Sequence, residues 1–191
     1  MNIGIVVEGP SDGTAYPTLI RRIRNDVGNV QVRECGGKSG LKNKFLGFLK
    51  EFQRNHAWQI NVAYVIRDSD CKPPQPIEEQ LRNVLRESGF APDFPVEFFA
   101  TKCQLETWLL ADENAINQVS QRRGKNLKVG PAEIQFETDN GAKERFLEQL
   151  SKARLPASPQ VYREIAEIAD IARIAARCPS FQQFIHRVRA H

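Results

Sequence analysis

Apolar residues recur along the chain in short runs and helical stripes that alternate from the first residue. Asn2 to Val7 reads as a strand, and a helix follows over Asp12 to Asp26, capped by Asp12 or Ser11. A second strand covers Asn29 to Glu34. Gly36-Gly37-Lys38-Ser39-Gly40 then breaks the chain before a helix from Leu41 to about His56. Ile60 to Arg67 is the most hydrophobic strand. Lys72-Pro73-Pro74-Gln75-Pro76 reads as loop, because prolines at that density cannot propagate a helix or a ladder. Ile77 to Gly89 is helical, with Leu81, Val84 and Leu85 at core spacing. Pro95 to Ala100 gives a fourth strand, and Gln104 to about Val119 another helix.

This alternation predicts an α/β fold, a parallel sheet flanked by helices. Beyond Ser120 the pattern changes. Gln121 to Pro131 is polar, basic and glycine-containing, and helices are expected at about Ala142 to Lys152, Ser158 to Arg177 and Ser180 to Arg189. Ile165, Ile168, Ala169, Ala172 and Ala176 form an apolar stripe that reads as a packing face. The expected division is an α/β domain over residues 1–119, with a basic linker and helical extension over 120–191 packed on it.

Composition narrows the class. With 41% hydrophobic and 26% charged residues the chain reads as a soluble globular protein. No apolar run approaches the roughly 20 residues that span a bilayer. The N-terminus lacks a basic leader and meets Glu8 too early for a signal peptide, so a cytoplasmic protein is expected. Cys35, Cys71, Cys103 and Cys178 show no paired spacing and read as free thiols, although the first three fall near strand ends. The formal charge is +4. Basic clusters at Arg21 to Arg24, Lys38 to Lys50, Arg122 to Lys125 and Arg187 to Arg189 suit a polyanion.

The informative chemistry is acidic. Glu8 and Asp12 flank Gly9-Pro10-Ser11 after the first strand, Asp68-Ser69-Asp70 follows the third, and Glu106 opens the helix after the fourth. Strand tips are where an open parallel sheet builds its ligand site. Carboxylates gathered there repel one another unless a hard divalent cation lies between them. Asp68 and Asp70 on an extended segment would point to the same side. The order 2-1-3-4 places the first and third strands together, and so supports a shared site. Asp12 as a helix cap and Glu106 as a partner of its helix dipole remain open. Gly36 to Gly40 lacks the spacing of a nucleotide-binding loop and reads as a flexible connection or a phosphate contact through its lysine.

These residues resemble the Toprim nuclease family, which includes primase and topoisomerase catalytic domains and the overcoming-lysogenization-defect nucleases. The family pattern is a Glu after strand one and an Asp-x-Asp after strand three, standing here as Glu8 and Asp68/Asp70. Asp12 in Glu-Gly-x-x-Asp and the later Glu106 look like its nuclease branch. The tail Cys178-Pro179-Ser180-Phe181-Gln182-Gln183-Phe184 resembles a Toprim-like bacterial family found beside ATPases in anti-phage loci. The resemblance implies a Toprim, Rossmann-like fold and hydrolysis of nucleic-acid phosphodiesters, with DNA ahead of RNA. It implies one or two Mg²⁺ or Mn²⁺ ions on Glu8, Asp12, Asp68, Asp70 and Glu106, with Glu8, Asp68, Asp70 and Lys143 catalytic. Glu8 is left open as ligand or general base, and Lys143 as charge neutraliser or solvated helix start.

Lys38, Lys42, Arg122, Arg123 and Lys125 are the expected nucleic-acid contacts. A partner ATPase and an anti-phage role are implied, and homo-oligomerisation is left open. The alternatives are a non-catalytic module that binds such an ATPase, and a receiver-like phosphoacceptor built from Glu8, Asp68, Thr101 and Lys143.

Overall fold

The computed structural model describes Met1–His191 throughout. Four strands, β1 (Ile3–Val7), β2 (Val30–Glu34), β3 (Val62–Asp68) and β4 (Val96–Thr101), form one parallel sheet in the order β2-β1-β3-β4. This is the parallel, Rossmann-like α/β arrangement, in the strand order that the sequence implied. The register pairs Val7 with Glu34, Val6 with Val65 and Asp68 with Thr101, so the carboxyl ends of β1 and β3 lie side by side.

The two central strands are buried on both faces, and their alternation sorts residues into two cores. Ile3, Ile5, Val7, Val62, Tyr64 and Ile66 face one side. There they meet α1 (Pro10–Ile23) and helices of the C-terminal third, α7 (Pro159–Ile168) and α9 (Pro179–Arg189). Val6, Ala63 and Val65 face the other side, against α2 (Lys38–Arg54) and α3 (Pro74–Glu87). Gly4 lies under Phe52, where any Cβ would stand 2.5 Å from the ring. Trp108 joins Tyr16, Phe99, Phe181 and Phe184 in an aromatic cluster. Residues beyond 120 therefore contribute directly to the main core.

Several boundaries differ from those the sequence predicts. Helix α3 starts at Pro74, inside the expected loop. Its prolines fall in the first turn, where backbone N–H groups have no helical acceptor to lose. The expected helix from Gln104 splits into α4 (Leu105–Leu110) and α5 (Glu113–Arg122), with the Asp112 side chain accepting from Asn114 N–H. The expected helix from Ser158 to Arg177 is likewise broken into α7 and α8 (Ile171–Arg177), because Asp170 caps α8 through Ala172 and Arg173 N–H. The two breaks meet where Asp170 N–H donates to Asp112 Oδ2 at 2.7 Å. Helix α6 (Ala142–Lys152) agrees with expectation.

The cysteines need a correction. Cys35 and Cys178 are free and buried, but Cys71 and Cys103 are joined in a disulfide. The loops after β3 and β4 run side by side, so the proximity that their places near strand ends allowed is realised for Cys71 and Cys103, 32 residues apart.

Candidate active site at the strand tips

Glu8 follows β1, where two glycine amides anchor its backbone: Gly36 and Gly37 N–H donate to Glu8 O at 2.9 and 2.8 Å. Gly37 has φ +101, a conformation that favours glycine, so the loop after β2 can curl back over the tip of β1. Glu8 Oε1 accepts from Asp68 N–H at 3.1 Å, bridging the neighbouring strand tips, and lies 3.9 Å from Arg67 Nε. Asp12, in the first turn of α1, accepts from Gly9 N–H through Oδ2 at 3.0 Å. The cap position is Gly9, not the expected Asp12 or Ser11; Asp12 stands three residues on, reaches back to the Gly9 amide and also lines the cavity.

Glu106, in the first turn of α4, is buried. Its Oε1 accepts from Tyr162 Oη at 3.0 Å and lies 3.1 Å from Lys143 Nζ. Tyr162 comes from α7 and packs edge-on against Phe146 of α6, so two C-terminal helices complete the site. Glu8, Asp12, Asp68, Glu106, Lys143 and Tyr162 line one cavity of about 300 Å³, with Ser11, Gly36 and Gly37 at its edge.

The electrostatics are those of crowded acids. Burial pushes the Asp12 carboxyl up to about 7, helped by repulsion from Glu106 and Glu8. Burial, then Asp12, Glu106 and Glu8, hold Asp68 well above the usual carboxylate range. Glu8 is raised by burial, against the Asp68 amide, Lys38 and Arg67. Burial alone would lower the Lys143 ammonium, but Glu106, Asp68 and Asp12 outweigh it and the net shift is upward. Burial and then Glu106 raise the Tyr162 phenol, so it remains a donor at neutral pH.

Asp70 does not share this cavity. The backbone turns left-handed at Asp70 (φ 51) and Cys71 (φ 61) instead of continuing extended, which separates the two acids of Asp68-Ser69-Asp70. Asp70 pairs with Lys38, and lines a second cavity of about 210 Å³ with Cys71, Cys103, Gln104, Asp139 and Asn140. Burial pushes the Asp70 carboxyl up, but Lys38, Gln104 and Lys72 together outweigh it and hold it below its ordinary value. Lys42, Arg122 and Lys125 are exposed and outside the acidic cavity, and Arg123 is engaged by Glu164 at 2.8 Å. As the side chains stand, no three acidic, histidine or cysteine groups converge closely enough to hold an ion. Larger clefts of about 480 and 530 Å³ lie at Asn114 to Lys128 and at Arg22 to Asp26, but neither collects groups suited to acid–base or metal chemistry.

Tyr162 is the site residue that the sequence did not disclose. It sits in no motif, and 56 residues separate it from Glu106.

Fold and site together define a parallel α/β protein with an acidic cavity at its strand tips. The chain belongs to the family described as Domain of unknown function (DUF4276), whose profile matches residues 7–189. No curated protein matches it. Among solved structures it is similar to the C-terminal region of the Burkholderia pseudomallei OLD protein, with a TM-score of 0.46 and 15% identity over 97% of each chain. A likeness of that size transfers no residue's role. No helix is long and apolar enough to cross a membrane.

Proposed function

We propose that this protein is a divalent-metal-dependent nuclease that hydrolyses nucleic-acid phosphodiesters at the acidic cavity. One observation carries the reading. Four carboxylates from four element ends line a single cavity; burial pushes Glu8, Asp12 and Asp68 toward their protonated forms, and the neighbouring cavity acids add to the shift at Asp12 and Asp68. An all-oxygen donor set of this kind suits Mg²⁺ or Mn²⁺. Glu8, Asp12, Asp68 and Glu106 would hold one or two ions, with Asp70 at the rim. A bound cation supplies Lewis-acid charge to a phosphoryl oxygen and lowers the pKa of water nearby.

The rest falls to the chain's own residues. Lys143 lies 3.1 Å from Glu106 Oε1 and has further ammonium donors to offer in the cavity, where phosphoryl charge would develop. Tyr162 fixes Glu106, and the Asp68 amide fixes Glu8. Lys38, Lys42, Arg122, Arg123 and Lys125 would steer the polyanion, and DNA is the first substrate to test. The anti-phage role and the ATPase partner belong to this proposal through the sequence resemblance of the tail.

A non-catalytic, partner-binding module has one observation in its favour: Lys143 and Lys38 already place positive charge against Glu106 and Asp70. Cleavage separates the readings. Purified protein is incubated with plasmid, single-stranded DNA and RNA in Mg²⁺, Mn²⁺ or EDTA, beside Asp68→Ala. The nuclease reading expects cutting that requires both metal and Asp68. Cutting retained by Asp68→Ala, or none with any substrate and metal, refutes it for the isolated chain.

A further inference from the structure

A cleft of about 480 Å³ runs beside α5 and shares no residue with the acidic cavity. Asn114, Asn117, Gln118 and Gln121 form one wall, because positions three, four and seven apart fall on one face of a helix. Gly124 (φ 70) ends that helix: its N–H donates to Gln121 O at 2.9 Å, and Lys125 N–H donates to Ser120 O at 2.9 Å. The chain is thereby turned back, and Asn126, Leu127 and Lys128 form the facing wall. Asn117 pins the two walls together. Its Nδ2 donates to Val129 O at 2.9 Å and its Oδ1 accepts from Val129 N–H at 2.7 Å, so the cleft keeps its shape without a ligand.

The carboxamides of Asn114, Gln118 and Gln121 are exposed to the cleft and have no partner within the protein. Each offers two donors and one acceptor. Asn117 already matches a donor and an acceptor at once on Val129, and the edge of an unpaired nucleobase presents the same two groups side by side. No carboxylate lines the cleft. Leu127 supplies an apolar contact for a base face and Lys128 a charge for a phosphate, while Arg122 and Lys125 are exposed next in the chain to Gln121 and Asn126. Neutral amides flanked by cations fit a nucleic-acid strand better than a sugar, which has no charge to meet Lys128. Position agrees. Ser120 Oγ donates to Ala153 O at 2.9 Å, and Ala153 closes α6, whose first turn holds Lys143. The cleft thus lies one length of α6, about 15 Å, from the acidic cavity, within the span of a short strand.

We propose that this cleft binds unpaired nucleobases by their hydrogen-bonding edges, through Asn114, Gln118 and Gln121, and that the nucleic acid reaching the acidic cavity is single-stranded. In a duplex those edges are taken up by base pairing. Phosphate contacts at Lys128 carry no such selectivity. The inference deepens the nuclease reading above and rests on it for the reaction, though not for binding.

The test uses the full chain in EDTA, so that no ligand is cut. Fluorescence anisotropy measures affinity for a labelled mixed-sequence single strand, for its duplex, and for an abasic strand of equal length and equal phosphate charge. The single strand is expected to bind more tightly than either of the others by about tenfold or more. Gln118→Ala/Gln121→Ala, two exposed helix positions, should fold normally by thermal unfolding and bring both ratios close to one. Lys128→Ala should weaken all three ligands alike and lower the salt slope by about one, leaving the ratios as they were.

Equal affinity for the ordinary and abasic strands overturns the proposal. So does tighter binding of the duplex, a preference that survives Gln118→Ala/Gln121→Ala, or no binding of any oligonucleotide at low salt. The two readings fail separately. Metal-dependent cutting without a preference for unpaired bases sinks this inference alone, whereas base-dependent affinity without cutting in any metal upholds it and sinks the nuclease reading.

Discussion

Asp12→Asn offers a test of the site that needs no substrate. The carboxyl is raised from 3.8 to about 7 by burial and by Glu106 and Glu8. A folded-state pKa above the unfolded value means that the folded chain binds the proton more tightly. The stability that Asp12 contributes is therefore fully present at low pH, is lost as pH rises through the window from 3.8 to about 7, and does not change above it. At about 1.4 kcal/mol per pH unit, the metal-free protein loses up to about 4 kcal/mol across that window on account of Asp12. Asparagine has nearly the same shape, can still accept from Gly9 N–H, and never charges. In EDTA, Asp12→Asn should match the wild type near pH 4 and exceed it by about 2–4 kcal/mol near pH 8. In a chain of this size that is a rise in Tm of about 5–12 °C. Urea unfolding at the two pH values measures the difference directly. A variant that tracks the wild type at both pH values would refute the claim that Asp12 is held in a crowded acidic site.

Other perturbations follow from the same geometry. Tyr162→Phe removes the donor that orients Glu106 while keeping the ring on Phe146, and should weaken Mn²⁺ binding or cleavage by about tenfold with little change in fold. Unchanged affinity and rate would leave Tyr162 with a packing role only. Gly40→Ala would place a Cβ 2.0 Å from the Cys35 carbonyl oxygen, so thermal unfolding should show a loss of about 2 kcal/mol or more. Gly47→Ala, in the same helix with open space around it, should instead gain up to about 1 kcal/mol.

The sheet and the main acids were readable because each rests on a local pattern. Apolar runs mark the strands, and carboxylates directly after the first and third argue that those strands are neighbours, as they are. The missed features depend on contacts between distant segments or on local geometry that residue spacing does not encode. Asp112 and Asp170 each end one helix and begin another, and their mutual hydrogen bond spans 58 residues. Prolines at 73, 74 and 76 look like a loop until their place in a first helical turn is known. Asp-x-Asp spacing implies a shared side only if the chain stays extended, and the left-handed turn at Asp70 removes that condition. Glu78 carried no sequence signal, yet it is buried, accepts from Ala100 N–H at 3.1 Å and pairs with Arg187 at 2.9 Å, tying α9 to β4.

The claim on which all this depends is that Glu8, Asp12, Asp68 and Glu106 together form a divalent-cation site. Mn²⁺ titration of the wild type and Asp68→Asn, followed by electron paramagnetic resonance of the free ion, tests it most directly. The account predicts saturable binding of one or two ions by the wild type, competed by Mg²⁺ and lost or weakened by about tenfold or more in Asp68→Asn. Absence of saturable binding by the wild type, or equal binding by Asp68→Asn, would contradict it.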